Sequence, residues 1–155
     1  MRVDPGFEEL YRREQASVFR AVYRLCGDRL VAEDATQEAF ARALARWRRL
    51  RERTWAAGWV TTTALNLARR AMRRMSRIDD LAVTEVPDPD AAVDLWRAVG
   101  ALPRRQQEAV VLRYALDLPV ADVAAAMGCA EGTAKAHLAR ARNSLRDQLE
   151  GVRDE

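Results

Sequence analysis

The stretch Leu118–Leu145, LPVADVAAAMGCAEGTAKAHLARARNSL, constrains this chain more than any other. It reads as a short helix, a turn at Gly128 and a longer second helix. Val120, Val123, Ala124 and Met127 recur at three-and-four spacing, so the first helix has one apolar side. Gly128 follows at once, and glycine accepts the left-handed backbone that ends a helix. In the second helix Ala134, Leu138, Ala141 and Leu145 line one face. Gly132, Ala136, Ala139, Arg140 and Asn143 point away, with Lys135 and His137 on the flanks. A buried stripe behind and a small, basic, hydrogen-bonding face in front are what the DNA major groove requires of a recognition helix. An ordinary helical hairpin has the same apolar pattern, so the rest of the chain must decide between the two.

Alanine abundance and the near absence of β-branched runs favour helices. Aromatics make up only 6% of the chain, so the core must rest on Ala, Leu and Val, with four Trp as large fillers. The 155 residues suffice for one ordinary domain or two small ones. The expected fold is all-α: two small helical domains joined by an acidic linker, the second a helix-turn-helix domain.

Several function classes find no support. No run of eighteen apolar residues occurs, so no membrane insertion is expected. The N-terminus MRVDPGFEELYRRE lacks the apolar core of a secretory signal, which predicts a cytoplasmic protein. Cys26 and Cys129 stand alone, far apart and without metal-ligand spacing, and read as buried or turn-packed thiols. His137 is the only histidine, and neither a phosphate-binding glycine loop nor a nucleophile elbow occurs. No catalytic, cofactor or metal site is therefore expected, and the chain reads as a non-enzyme.

Net charge is only +3, but it is unevenly distributed. Residues Ala41–Arg77 hold eleven Arg and one acid, Glu52, a balance of +10. Residues Ile78–Leu95 hold six acids and no base, a balance of −6. Such blocks suggest a polyanion-binding module followed by a connector.

In chain order, Asp4-Pro5 can cap and start a first helix carrying Phe7, Leu10, Tyr11, Val18, Val22 and Leu25, with Gly27 ending it. A second helix is predicted from about Leu30 to Trp47, its buried line running Thr36, Phe40, Leu44 and Trp47. Asp34, Gln37, Glu38 and Ala41 share another face of it. That face suits solvent or a basic partner. Arg48–Gly58 is basic, holds Trp55 and ends in glycine, so it reads as a loop. Trp59–Met75 has helical length although Thr61, Thr62 and Thr63 are poor helix formers, so tertiary packing must hold it. Threonines, Asn66 and Arg69, Arg70, Arg73 and Arg74 along one helix, beside a tryptophan-bearing loop, suit single-stranded nucleic acid or simply a solvated basic surface. After the linker, Asp88-Pro89 can start a helix with Leu95, Trp96 and Val99. Leu102-Pro103 starts another, with Ala109, Val110, Leu112, Arg113 and Tyr114.

Three segments in this order resemble the sigma-70 family of bacterial RNA polymerase subunits, specifically its small extracytoplasmic-function (ECF) group. They are AEDATQEAFARAL (Ala32–Leu44), WVTTTALNLARRAMRR (Trp59–Arg74) and Ala101–Leu145. The resemblance implies a core-polymerase docking helix, a helix handling the minus-ten promoter element and a domain reading the minus-thirty-five element. It divides the chain into residues 1–77, a linker at 78–95, the helix-turn-helix domain at 96–150 and a tail at 151–155. By the same resemblance, Asp34, Gln37, Glu38 and Ala41 would face the clamp of the largest polymerase subunit. Trp59, Thr62, Thr63, Asn66, Arg69, Arg70 and Arg73 would serve the melted minus-ten strand. Thr133, Lys135, Ala136, His137, Ala139 and Arg140 would meet the minus-thirty-five duplex. An anti-sigma factor is a further implied partner.

The chain departs from the family pattern before Glu131-Gly132-Thr133, where Ala130 replaces the usual Ser. The missing side-chain cap costs about 1 kcal/mol. With Ala136 and Ala139 on the reading face, only Lys135 and Arg140 are strong bases there, so groove shape and phosphate contacts carry more of the recognition. Taken without the resemblance, the last third alone would also serve a helix-turn-helix regulator that binds duplex DNA without joining polymerase.

Overall fold

The computed structural model describes residues 2–78 and 92–153. These residues form helices and their connections, with no strand among them. The chain runs α1 (Pro5–Cys26), α2 (Arg29–Ala45), the single turn α3 (Trp47–Leu50), α4 (Ala56–Ile78), α5 (Ala92–Gly100), α6 (Arg104–Val110), a wide π turn (Val111–Ala115), α7 (Val120–Met127) and α8 (Glu131–Arg153).

The helix ends follow local chemistry. The Asp4 carboxylate accepts from the Gly6 N–H at 2.8 Å, with Pro5 in the first turn of α1. Gly27 closes α1 at φ 72°. The Asp28 carboxylate then caps α2 by accepting from the Val31 N–H at 3.0 Å. Only two residues therefore separate two antiparallel helices.

α1, α2 and α4 pack as a three-helix unit. α2 offers it a row of small side chains, Ala32, Ala35, Ala39 and Ala43, with Thr36 and Phe40 beside them. Small residues let helix axes approach closely. Phe40 fills the remaining gap, edge-on to Phe7 at 6.4 Å and to Tyr11 at 4.9 Å.

The structure departs from the sequence reading in the buried line of α2. Leu44 is 38% exposed, and Ala43 is buried in its place. The inward face is centred on the alanine row, which puts Leu44 a further 100° round the helix, toward solvent.

The segment Arg48–Gly58 is also more helical than its composition suggests. α3 occupies its start, anchored by buried Leu50, and α4 begins at Ala56, before Gly58. Gly58 lies inside α4 and does not end a loop. A Cβ there would sit 2.8 Å from the Ala126 Cβ and 3.0 Å from the Leu118 Cδ1. The glycine permits α7 to approach α4, and no turn requires it.

The threonines of α4 are held locally as well as by packing. Thr61 donates to the Ala57 carbonyl at 2.8 Å, and Thr62 and Thr63 both donate to the Trp59 carbonyl. This back-bonding satisfies hydroxyls that lie inside or beside the core.

α5–α8 form the second helical group. α6 does not continue as one regular helix; it widens into the π turn, so that Val110, Val111 and Leu112 are buried in succession. Asp117 then takes a left-handed backbone, φ 55°, to reverse toward α7. Gly128 ends α7 at φ 67°. Ala134, Leu138 and Ala141 of α8 are buried against α6 and α7. α5 begins at Ala92, within the stretch whose composition reads as linker, while the expected start at Asp88-Pro89 lies outside the described residues. One hydrophobic core runs continuously through both groups.

The corrected face of α2 is testable by urea denaturation. Phe40→Ala should lower stability by about 3–5 kcal/mol. Leu44→Ala should stay within about 0.5 kcal/mol of the parent.

Candidate nucleic-acid interface

Three surfaces carry the residues singled out above. The first is the solvent side of α2. Asp34, Gln37, Glu38 and Ala41 are all exposed on it. Glu38 pairs with Arg42 at 3.0 Å, and the Gln37 amide donates to the Tyr11 hydroxyl at 3.3 Å. Leu30, 71% exposed, and Leu44 flank this polar stripe with apolar side chains.

The second surface is one side of α4. Trp59, Thr62, Thr63, Asn66, Arg69, Arg70 and Arg73 fall within an arc of about 120° by the helical period. Their accessibility differs. Arg70 and Arg73 are exposed; Trp59, Thr63, Asn66 and Arg69 are half-buried; Thr62 is buried. The hydroxyl protons of Thr62 and Thr63 are already committed to the Trp59 carbonyl. Of the two, only the half-buried Thr63 oxygen can meet a ligand, and it does so as an acceptor. Arg46 lies over the Trp59 ring at 5.7 Å. Arg70, Arg73 and Arg74 join Arg42 of α2 around an open groove of about 520 Å³, floored by Leu67. Arg42 escaped the sequence reading because its spacing from Glu38 is that of an ordinary helix pair.

Arg69 points elsewhere. Its guanidinium meets the Glu108 carboxylate at 3.3 Å, donates to the Gln107 side-chain oxygen and donates to Asn66 Oδ1 at 2.9 Å. Glu108 is 1% exposed and also receives Arg104 at 3.2 Å and Arg105 at 2.9 Å. Burial pushes the Arg69 guanidinium below its ordinary value, and neighbouring Glu108 opposes that shift. The Gln107 amide donates to the Val99 carbonyl at 3.3 Å, which ties α6 to α5. No sequence signal pairs Arg69 with Glu108, since 39 residues separate them. The Arg104 and Arg105 pairs with Glu108 are legible as i, i+4 and i, i+3 spacings.

Three further contacts join the same two groups. Thr54, before α4, donates to the Asp122 carboxylate of α7 at 2.8 Å. Gly58 abuts Ala126. Arg24 of α1 lies over the Trp96 ring of α5 at 5.2 Å. A cleft of about 410 Å³ remains between the groups, with Leu25, Cys26, Met72, Arg69, Arg104 and Gln107 in its walls.

The third surface is the outer side of α8. Thr133, Lys135, Ala139 and Arg140 are exposed, and Ala136 and His137 are half-buried. The Ala130 carbonyl accepts the first helical bond, from the Ala134 N–H at 3.0 Å. Arg105 donates to the Met127 carbonyl at 2.7 Å and so satisfies the end of α7. The two helices thus meet at a fixed corner, with the side chains of α8 free to enter a groove.

Residues 10–78 match Sigma-70 region 2, and residues 92–145 match Sigma-70, region 4. The chain is 30% identical to the RNA polymerase sigma-E factor of Streptomyces avermitilis over 155 residues, covering 93% of this chain and 85% of that one. It belongs to the sigma-70 family. The ECF RNA polymerase sigma factor SigE of Mycolicibacterium smegmatis is 32% identical over 160 residues, and the match spans 62% of that relative's length. Among solved structures, the sigma factor RpoE from Bartonella quintana, in complex with the anti-sigma factor NepR, superposes with a TM-score of 0.72 at 25% identity. It covers 93% of this chain and 96% of that one. This sigma-family chain contains no helix, among the described residues, long and apolar enough to cross a membrane. The same residues hold no group of three or more potential metal ligands.

Burial also pushes the Cys26 thiol above its ordinary value, despite its hydrogen bond to the Asp28 carbonyl. A raised value keeps the thiol protonated, and so unreactive, at neutral pH. In Cys129→Ser protein, iodoacetamide labelling of Cys26 should therefore be slow at neutral pH and accelerate only above the range of a free thiol.

Proposed function

We propose that this chain acts as an ECF-type sigma factor: it binds core RNA polymerase and directs promoter-specific transcription initiation without chemistry of its own. The observation that carries this reading is the presence, in one chain, of both family regions together with an exposed acidic face on α2. A helix-turn-helix regulator needs only the second region. The α2 stripe and the four-arginine groove both lie outside that second region.

The assignment of surfaces follows. The α2 stripe docks on the clamp of the largest polymerase subunit, its carboxylates meeting basic groups and its leucines apolar ones. The arginine-lined side of α4 follows the phosphates of the melted minus-ten strand, while half-buried Trp59 offers an aromatic face to unstacked bases. The outer side of α8 enters the major groove at the minus-thirty-five element. Residues 1–77 and 96–150 work as the two binding modules, with the acidic stretch between them as connector. Each contact alone is weak; polymerase raises the effective concentration of the others. The solved neighbour is held by an anti-sigma factor, which makes an inhibitor of that kind a further partner of this chain.

Reconstitution with core polymerase on a genomic library tests the reading. The expected result is initiation from a defined promoter set. No sequence-specific initiation above core alone would favour the regulator reading instead. On a promoter so mapped, Asp34→Arg with Glu38→Arg should weaken core binding and leave the fold intact, as measured by pull-down and circular dichroism. Arg140→Ala should weaken binding to the upstream duplex by about 1–3 kcal/mol if the guanidinium reads a base. An equal loss on all sequences would make it a phosphate contact, and the salt dependence of binding would fall with it.

A further inference from the structure

The cleft between the two helical groups has the makings of a small-molecule site. Such sites are concave, about 300–1,000 Å³ in volume and mostly apolar, with a few polar groups that fix orientation, and they favour the junctions between packed units. This cleft holds about 410 Å³. Leu25 and Cys26 reach it from α1, Leu65 and Met72 from α4, and Leu102 from the turn into α6. Leu65 and Leu102 are buried, whereas Leu25, Cys26 and Met72 are only half-buried. Those three leave apolar surface in water that a ligand would cover. Met72, unbranched and polarizable, can follow ligands of differing shape. On the α5 side the wall is Gly100, which offers no side chain. A Cβ there would meet only the Leu25 carbonyl oxygen, at 4.0 Å. The space is open at that wall and is not packed shut.

The charged groups of the cleft have one sign. Arg69, Arg73 and Arg104 stand in its walls, and no carboxylate does among the described residues. Glu108 answers Arg69 and Arg104 from behind, but it also receives Arg105. Three guanidinium groups against one carboxylate leave a surplus of positive charge. Arg73 is exposed and adds to it, since it pairs with no acid among the described residues. A guanidinium presents its donors in a planar fork that matches a carboxylate.

We infer that this cleft binds a small amphipathic acid, with its apolar body against Leu25, Cys26, Met72 and Leu102 and its carboxylate taken by Arg73 and Arg104. An inorganic anion would leave the apolar wall in water. A neutral hydrocarbon would leave the surplus charge unanswered, and an amphipathic cation would be repelled by it. Bound acid would touch α1, α4 and the entry to α6 at once, so it would stabilise the folded chain by mass action.

Cys26 reports on the site directly, because it lies in the wall. The probe is octanoate, and the measurement is the rate at which neutral iodoacetamide alkylates Cys26 in the Cys129→Ser protein, at the alkaline pH where that thiol reacts. Octanoate should slow alkylation and saturate as one site. 1-Octanol, which has the same chain length without the charge, should need at least about tenfold higher concentration for the same protection. The double variant Arg73→Ala, Arg104→Ala should raise the half-protecting octanoate concentration by about tenfold and leave that of octanol unchanged. No protection by octanoate below its micellar range overturns the site. Equal potency of octanoate and octanol overturns its preference for an acid.

Gly100→Leu places a side chain in the open wall. Octanoate should raise the melting temperature of the parent and leave that of this variant unchanged. An equal rise in both would put the bound acid elsewhere and overturn the assignment. Should the variant fail to fold, protection of Cys26 in the otherwise unaltered chain decides alone.

Discussion

A carboxylate taken out of water must be answered by charge, and the arrangement of this molecule turns on how Glu108 is answered. Arginines approach it from two parts of the chain: Arg104 and Arg105 from α6 itself, and Arg69 from α4 across the junction. Attraction of this kind is offset by desolvation of both charges, so its net contribution to stability is small. Its contribution to geometry is larger. An exposed ion pair tolerates many arrangements, whereas this one is flanked by Gln107, itself held to α5, and admits few. α4 and α6 therefore meet in a defined register, and the surfaces they carry are oriented with them.

The close approach around that ion pair is made possible by small side chains. Alanines line the packed faces of α2 and α4, and Gly58 removes the last obstruction where α7 crosses. Interiors built this way have little volume to relax into. In the first bundle Phe7, Tyr11, Phe40 and Trp47 interlock edge to face. The same helices can then present arginine outward without thinning the core, because short side chains behind are enough to hold the packing.

Much of this was legible in the sequence because it is written locally. Caps at Asp4 and Asp28, stops at Gly27 and Gly128, and the inward row of α8 each depend on residues a few positions apart. The outward faces of α2 and α8 followed from the same periodicity. What escaped has causes that act at a distance. Gly58 has the composition of a loop end, and only the presence of Ala126 shows why glycine is needed inside a helix. Leu44 has the polarity of a core residue, but the alanine row of α2 sets the inward direction and leaves it outside. Arg69 lies by spacing on the side of α4 that carries Arg70 and Arg73, and nothing in its neighbourhood announces Glu108. The threonines were legible as a problem for a helix; their solution, donation to carbonyls one turn back, was not.

Arg105 has a place in two of these arrangements. One branch of its guanidinium holds the Glu108 carboxylate and the other satisfies the Met127 carbonyl at the end of α7. The carboxylate at the junction between the halves and the corner between α7 and α8 are thus linked through a single side chain. A substitution at Arg105 is therefore felt at both places. Losing its guanidinium would remove one cation from Glu108 and leave the last turn of α7 unsatisfied where α8 begins. The exposed side chains of α8, Lys135, Ala139 and Arg140, can by contrast change without disturbing either contact.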